Sequence, residues 1–245
     1  AVRAKVSYAE NLANIAHQLK TPITAAFLSL QMMERDLTGT SEKKTEWDKP
    51  ERQEKSTEKP AEGEKYIGRT KKQLARLQHL EEALLTLSRI DAGVLQLEDA
   101  EVDIYTVLNL ASENLNDLLL QHAVSVSIPD RGCATFRGDM EWTMEALMNL
   151  IKNCMEHSPR GGTIFCDYSV NALYAEIRIR DEGAGFVPEA LPHLFERFYR
   201  GRESDTGVGI GMPLAREIIE LQNGIVTAYN LPQGGACFEI RIYSH

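Results

Sequence analysis

Between Leu12 and Leu37 the apolar positions Leu12, Ile15 or Ala16, Leu19, Ile23, Ala26 or Phe27, Leu30, Met33 and Leu37 recur every three to four residues. That spacing predicts a helix with one apolar stripe to bury against other helices. His17, Lys20, Thr21 and Thr24 fall between the apolar positions, so imidazole, ammonium and hydroxyl share the solvated side. Pro22 lacks an N–H and crowds the carbonyl of Gln18, which predicts a bend close to the histidine. Read alone, His17 is an ordinary surface histidine. The pattern stops after Leu37, and Thr38 to Glu64 carries both charge signs, Pro50 and Pro60, and almost nothing apolar. Such a segment buries too little surface to offset its ordering entropy and reads as a flexible or partly helical connector. From Tyr66 the period returns through Ile67, Leu74, Leu77, Leu80, Leu84, Leu85, Leu87 and Ile90, and closes at Asp91-Ala92-Gly93. Two amphipathic helices joined this way predict an antiparallel hairpin over about residues 1–95. Its stripe is wide for one hairpin, so a second copy is expected to complete a four-helix bundle, making a homodimer.

Beyond Gly93 the pattern changes. Ile104 to Leu120 and Trp142 to His157 read as helices, Val124 to Ile128 as an alternating strand, and Thr163 to Val170 with Ala175 to Arg180 as paired strands. Ala215 to Gln222 reads as a short helix stopped by Asn223-Gly224. Ile225 to Asn230 and Ala236 to Tyr243 form a hairpin around Gln233-Gly234-Gly235. The expected fold is α+β: the helical hairpin, then, over about residues 98–245, an α/β sandwich with helices layered on one sheet face.

A length of 245 residues allows two domains, and a hydrophobic share of 43% with 26% charged is that of a globular protein. The net charge of -9, with no basic tract, argues against non-specific nucleic-acid binding. Cys133, Cys154, Cys166 and Cys237 are scattered and mostly lie among apolar neighbours, so they read as reduced core residues rather than a zinc site. The chain starts without Met and inside a helical pattern, the expectation being a piece of something longer.

Three features of the second half suit a nucleotide. Asn149 and Asn153 stand one helical turn apart, and paired neutral oxygens at that spacing can hold magnesium beside phosphates. Asp181-Glu182-Gly183-Ala184-Gly185 follows a strand, placing a carboxylate that can accept from an exocyclic amine next to glycines that admit a close ligand. Gly207-Val208-Gly209-Ile210-Gly211 leads into an apolar helix, where free N–H groups face phosphate. Each motif alone also fits a helix surface or a tight turn.

Their order and spacing make the set specific. AHQLKTPIT, LSRIDAG, NLIKNCMEHSP, DEGAGF, LFERFYRG and TGVGIGMPLAREIIELQNG follow one another as the H, N, first glycine, F and second glycine boxes do. The chain thus resembles the sensor histidine kinases of two-component signalling over nearly its whole length, Thr38 to Glu64 excepted. The resemblance implies a Bergerat-type ATP-binding domain, ATP and Mg2+ as cofactors, and His17 as the phosphoacceptor. Asn149 and Asn153 match the magnesium and phosphate ligands, His157 the variable basic or aromatic position of the N box, and Asp181 the adenine-reading carboxylate. Gly183, Gly185, Gly207, Gly209 and Gly211 match the hinges of a mobile ATP lid, Phe195 and Phe198 the apolar anchors at its base. Arg200 and Arg202 are candidates to neutralise phosphate. The family passes its phosphoryl group to an aspartate of a response-regulator receiver domain, and many members hydrolyse the phospho-regulator, for which Thr21 matches the water-orienting residue. The resemblance also implies an upstream membrane sensor segment, this chain being the cytoplasmic portion of a bacterial membrane protein.

Two departures stand out. The common H box has an acidic residue after the histidine; here it is Gln18, whose amide accepts a hydrogen bond but takes no proton. Glu156 stands where many N boxes carry Lys or Arg, which shifts phosphate neutralisation toward Lys152, Arg200 or Arg202 or leaves Glu156 facing solvent. Gln18 also leaves open a degenerate kinase serving as dimeric scaffold or phosphatase, and the nucleotide boxes alone leave open an ATPase related to chaperone and topoisomerase domains.

Overall fold

A computed structural model describes residues 23–28, 30–32, 59–199 and 209–244. His17, Gln18, Thr21, Arg200, Arg202 and Gly207 lie outside the described residues. The chain divides into two compact units, residues 1–82 and 83–245.

In the first unit residues 23–28 and 30–32 are helical (α1), and α2 runs over Lys59–Asp91 into the second unit. It therefore starts inside the stretch expected to be a connector. Ala26, Thr70 and Leu80 are buried, whereas Ile23, Phe27, Leu28, Leu30 and Met32 are about half exposed.

The second unit opens with the last turns of α2, where Leu87 is buried, and Gly93 then takes a left-handed φ of 66°. There follow β1 (Ala100–Asp103), α3 (Ile104–Asn114), α4 (Asn116–His122), β2 (Ser125–Ser127), β3 (Thr135–Gly138) and α5 (Met140–His157). β4 (Thr163–Val170), β5 (Tyr174–Arg180), α6 (Gly211–Leu221), β6 (Gly224–Asn230) and β7 (Ala236–Tyr243) complete it. The helix expected from Ile104 to Leu120 is broken at Leu115. There the backbone leaves helical geometry, and its N–H bonds the Ser112 carbonyl, one residue short of the helical partner. The Asn114 amide bonds the Leu110 carbonyl at 2.8 Å, adding a side-chain competitor for that acceptor. The antiparallel pair β1–β3 was not expected; each strand is four residues long, with only Val102, Phe136 and Gly138 buried, too short for alternation to show.

The main sheet has the order β2-β4-β5-β7-β6, antiparallel except for β2 beside β4. Period-two alternation assigns its faces. Ile164 and Cys166 of β4, Ala175, Ile177 and Ile179 of β5, Val226 of β6, and Phe238, Ile240 and Ile242 of β7 are buried. α5 packs on β4 and β5, α6 on β6, and the two helices pack on each other, giving the expected sandwich. On the other face Arg178 and Arg241 each bridge Glu176 and Glu239 in a closed four-membered ring of ion pairs. Cys154, Cys166 and Cys237 are buried free thiols; burial pushes Cys166 up to about 12, so it stays protonated. Cys133 departs from the core reading and is exposed, on the short loop before β3.

Candidate nucleotide site

α5 is the element on which the candidate residues meet. Asp139 caps it, its Oδ1 accepting from the Trp142 N–H at 3.0 Å, and its apolar face buries Ala146, Leu147, Leu150, Ile151 and Cys154. The neighbouring face carries Asn149, buried, and Asn153, half-buried, one turn apart as expected. Asn149 Nδ2 donates to the Glu145 carbonyl at 2.9 Å and to Glu145 Oε1 at 3.1 Å. Its Oδ1 faces the other way, toward the start of α6: a Cβ added to Gly211 would stand 2.6 Å from it. Gly211 is therefore a close-packing glycine where α6 begins against α5.

At the other end of α5, His157 is exposed, and its carbonyl would lie 2.5 Å from a Cβ on Gly183. Gly183 belongs to the turn after β5, where Asp181 is 4% exposed. Asp181 Oδ1 accepts from the N–H groups of Gly183 at 2.8 Å and Ala236 at 3.1 Å. Its own N–H donates to the Ala236 carbonyl at 3.0 Å. Burial first, then the charge of the Asp181 carboxylate, push the Cys154 thiol, on α5, well above its ordinary range. Gly185, with φ 77°, sits on Asn230, whose amide forms a reciprocal pair with the Phe186 backbone at 2.7 and 2.8 Å. Asn230 and Ala236, on either side of the β6–β7 turn, thus hold the DEGAGF turn in place; neither stood out in the sequence beyond its place at the end of a strand.

Phe195 stacks edge-on against Phe238 with ring centroids 6.4 Å apart, under the Arg216 guanidinium. Phe198 takes a left-handed φ of 67°, and its N–H donates to the Gly209 carbonyl at 2.7 Å. Gly209, φ 74°, lies against Phe198 and Tyr199 so closely that a Cβ would meet the Tyr199 carbonyl at 2.5 Å. Phe198 and Gly209 thereby fix together the two flanks of residues 200–208. Arg197, between the two phenylalanines, bonds Asp91 and Glu217, a contact the sequence pattern did not show.

Among the described residues no group of three or more His, Cys, Asp or Glu side chains is placed to hold a metal. What α5 offers instead are amide oxygens. Hard divalent cations accept such ligands when phosphate oxygens and water complete the shell, which is how magnesium commonly sits. The residues present fit an ion shared with a nucleotide rather than a protein-only cage.

A mixed sheet under paired helices, with a buried carboxylate turn and a glycine-led helix both packed on one asparagine helix, defines a nucleotide-binding domain. Residues 138–244 match the family described as histidine kinase-, DNA gyrase B- and HSP90-like ATPase, and residues 8–93 match the His Kinase A (phospho-acceptor) domain. With both models in that order, the chain belongs to the sensor histidine kinases of two-component signalling. It is 29% identical to the sensor protein SphS of Synechococcus elongatus over 94% of this chain and 54% of that protein. The chain thus spans about half the length of this curated relative. Its fold is similar to the Acinetobacter baumannii histidine kinase AdeS (TM-score 0.66, 23% identity, 94% of this chain and 98% of that one). It is also similar to the histidine kinase ThkA, solved in complex with the response regulator protein TrrA (TM-score 0.68, 18% identity, 99% of this chain and 64% of that one). Among the described residues no helix is long and apolar enough to cross a membrane.

Proposed function

We propose that this chain is the ATP-dependent kinase core of a two-component sensor, phosphorylating its own His17 and passing the phosphoryl group to an aspartate of a response-regulator receiver domain. The observation that carries the reading is the convergence on α5: Gly183 of the Asp181 turn packs on the His157 carbonyl, and Gly211 of α6 packs on Asn149. Asp181, held by two backbone amides, accepts the exocyclic amine of adenine. The free N–H groups at the start of α6 face phosphate. Asn149 and Asn153 would hold magnesium through their amide oxygens, and the ion would supply neutralisation of phosphate charge there. Arg200 and Arg202 add positive charge there, and Gly183, Gly185, Gly207, Gly209 and Gly211 serve as lid hinges.

In the transfer an imidazole nitrogen of His17 forms a bond to the γ-phosphorus. The bond to the bridging oxygen breaks, and ADP leaves with that electron pair. Gln18 accepts from the other ring nitrogen but takes no proton, so the imidazole proton passes to solvent. In the same reading Thr21 orients water for hydrolysis of the phospho-regulator. The half-exposed apolar side chains of α1 support a homodimer, in which a second hairpin covers them. A membrane sensor segment upstream, with this chain on its cytoplasmic side, completes the proposal. Domain limits near residues 1–95 and 98–245 separate the phosphoacceptor hairpin from the ATP-binding domain.

The test is incubation with γ-labelled ATP and magnesium, beside a His17→Ala variant. Label that is lost in acid, kept in base and absent from the variant establishes phosphohistidine at His17. ATP binding without label moves the reading to a phosphatase or scaffold.

A further inference from the structure

α5 carries a third polar residue in register with its two asparagines. Glu145 precedes Asn149 by one turn, as Asn149 precedes Asn153, so the three side chains share one helical face. The contact between the first two is specific. Both hydrogens of the Asn149 amide are used on Glu145, one on the main-chain oxygen at 2.9 Å and one on the carboxylate Oε1 at 3.1 Å. A carboxylate with no proton only accepts, as a carbonyl does. An amide turned the other way would set its oxygen against two acceptors. The two acceptors of Glu145 therefore select one orientation, with Asn149 Oδ1 toward the start of α6. Asn149 is 8% exposed, so water has little access to rescue an amide that has lost a partner.

We propose that Glu145 is a positioning residue, which presents Asn149 to the nucleotide as an oxygen ligand and so sets the magnesium dependence of nucleotide binding. The proposal rests on the nucleotide reading of this site. It goes beyond that reading in giving a role to a side chain outside the motif's two asparagines. The carboxylate does not touch the nucleotide; it acts through Asn149, as a group that orients a metal ligand does.

The experiment is calorimetric binding of a non-hydrolysable ATP analogue to the full chain, with magnesium and with chelator, for wild type, Glu145→Ala and Glu145→Gln. Each variant's folding is checked by its thermal midpoint. In Glu145→Ala the gain in affinity that magnesium gives is expected to fall about 10-fold, a typical loss for an orienting partner. Binding in chelator is expected to stay within about 2-fold, since Asp181 is untouched. Glu145→Gln keeps an acceptor oxygen and is expected to recover most of the gain. A merely structural role would lower both affinities together and overturn the proposal. So would a full magnesium gain in Glu145→Ala, or a wild type that binds the analogue with no response to magnesium. Absence of any analogue binding by the wild type would overturn the nucleotide reading itself.

Discussion

Arg197 holds Asp91 through two parallel hydrogen bonds, Nη1 to Oδ2 at 2.7 Å and Nη2 to Oδ1 at 2.8 Å. The same guanidinium reaches Glu217 of α6 with Nε at 3.1 Å from Oε1. One side chain from the segment between Phe195 and Phe198 thus joins the end of α2 to the middle of α6. Arg197 is the least dispensable of the three, since its side chain is 27% exposed and Glu217, at 23%, has no cation besides it in the contacts described. Its replacement by Ala leaves Glu217, whose Oε2 is already buried without a partner, to lose its counter-charge. Arg197→Ala is expected to cost about 2 kcal/mol, read as a fall of several degrees in the thermal midpoint.

Asp91 is more exposed, 56% by side chain, so Asp91→Asn is expected to cost only about 0.5–1 kcal/mol at neutral pH. Its pH dependence has a definite sign. The hydrogen bonds from Arg197 lower the Asp91 carboxyl below its ordinary value. A group depressed in the folded state contributes stability above its unfolded value, about 4, and loses it as pH falls through the folded value. The midpoint difference between wild type and Asp91→Asn should therefore be constant near neutrality and close progressively below about pH 4. A difference that widens on acidification would show that Arg197 does not hold Asp91 in solution.

Asp181→Asn replaces an acceptor-only group by one that also donates, next to the N–H groups of Gly183 and Ala236. Adenine-nucleotide affinity is expected to fall about 10–100-fold, with adenine preferred over guanine less strongly than in the wild type. Competition of ATP and GTP against a fluorescent ATP analogue measures both quantities. Unchanged discrimination would remove Asp181 from base reading.

Gly211→Ala places a methyl group 2.6 Å from Asn149 Oδ1, so the asparagine or the helix start has to move. Loss of nucleotide binding in magnesium is expected to exceed any loss of stability, which should stay near 1–2 kcal/mol. At Gly235 the balance is reversed. Its φ of 91° and its contact with the Asp181 carbonyl make Gly235→Ala a folding defect, expected to cost about 2 kcal/mol or more in urea denaturation.

Gln18 carries the last prediction. If the missing carboxylate limits proton removal from His17, Gln18→Glu should raise the autophosphorylation rate by about 10-fold or more, because general-base assistance acts on the rate of that step. An equal or lower rate in a filter-binding time course would count against this account of the H box.

The order of elements in residues 98–245 was readable because buried strands alternate and helices repeat at their own periods: β4, β5, α5 and the β6–β7 hairpin lie within two residues of their expected limits, while α6 begins four residues before its expected start. The placement of Asn149 and Asn153 one turn apart on α5, and of Asp181 in the turn after β5, was readable because both rest on local spacing. The β1–β3 pair, the break at Leu115 and the helical start at Lys59 were not, since none of them leaves a periodic signal long enough to see. What the sequence by itself determined is local: which stretches are helix or strand, which residue types stand at each motif, and the family those motifs resemble. Only the folded structure showed which way the Asn149 amide turns on Glu145, that Ala236 and Asn230 hold the Asp181 turn, and that Arg197 pairs Asp91 across 106 positions of chain. Of these, the Asp181 and Arg197 contacts join residues far apart in sequence. Their partners are chosen by how sheet and helices pack, and by which hydrogen-bonding groups that packing leaves facing one another.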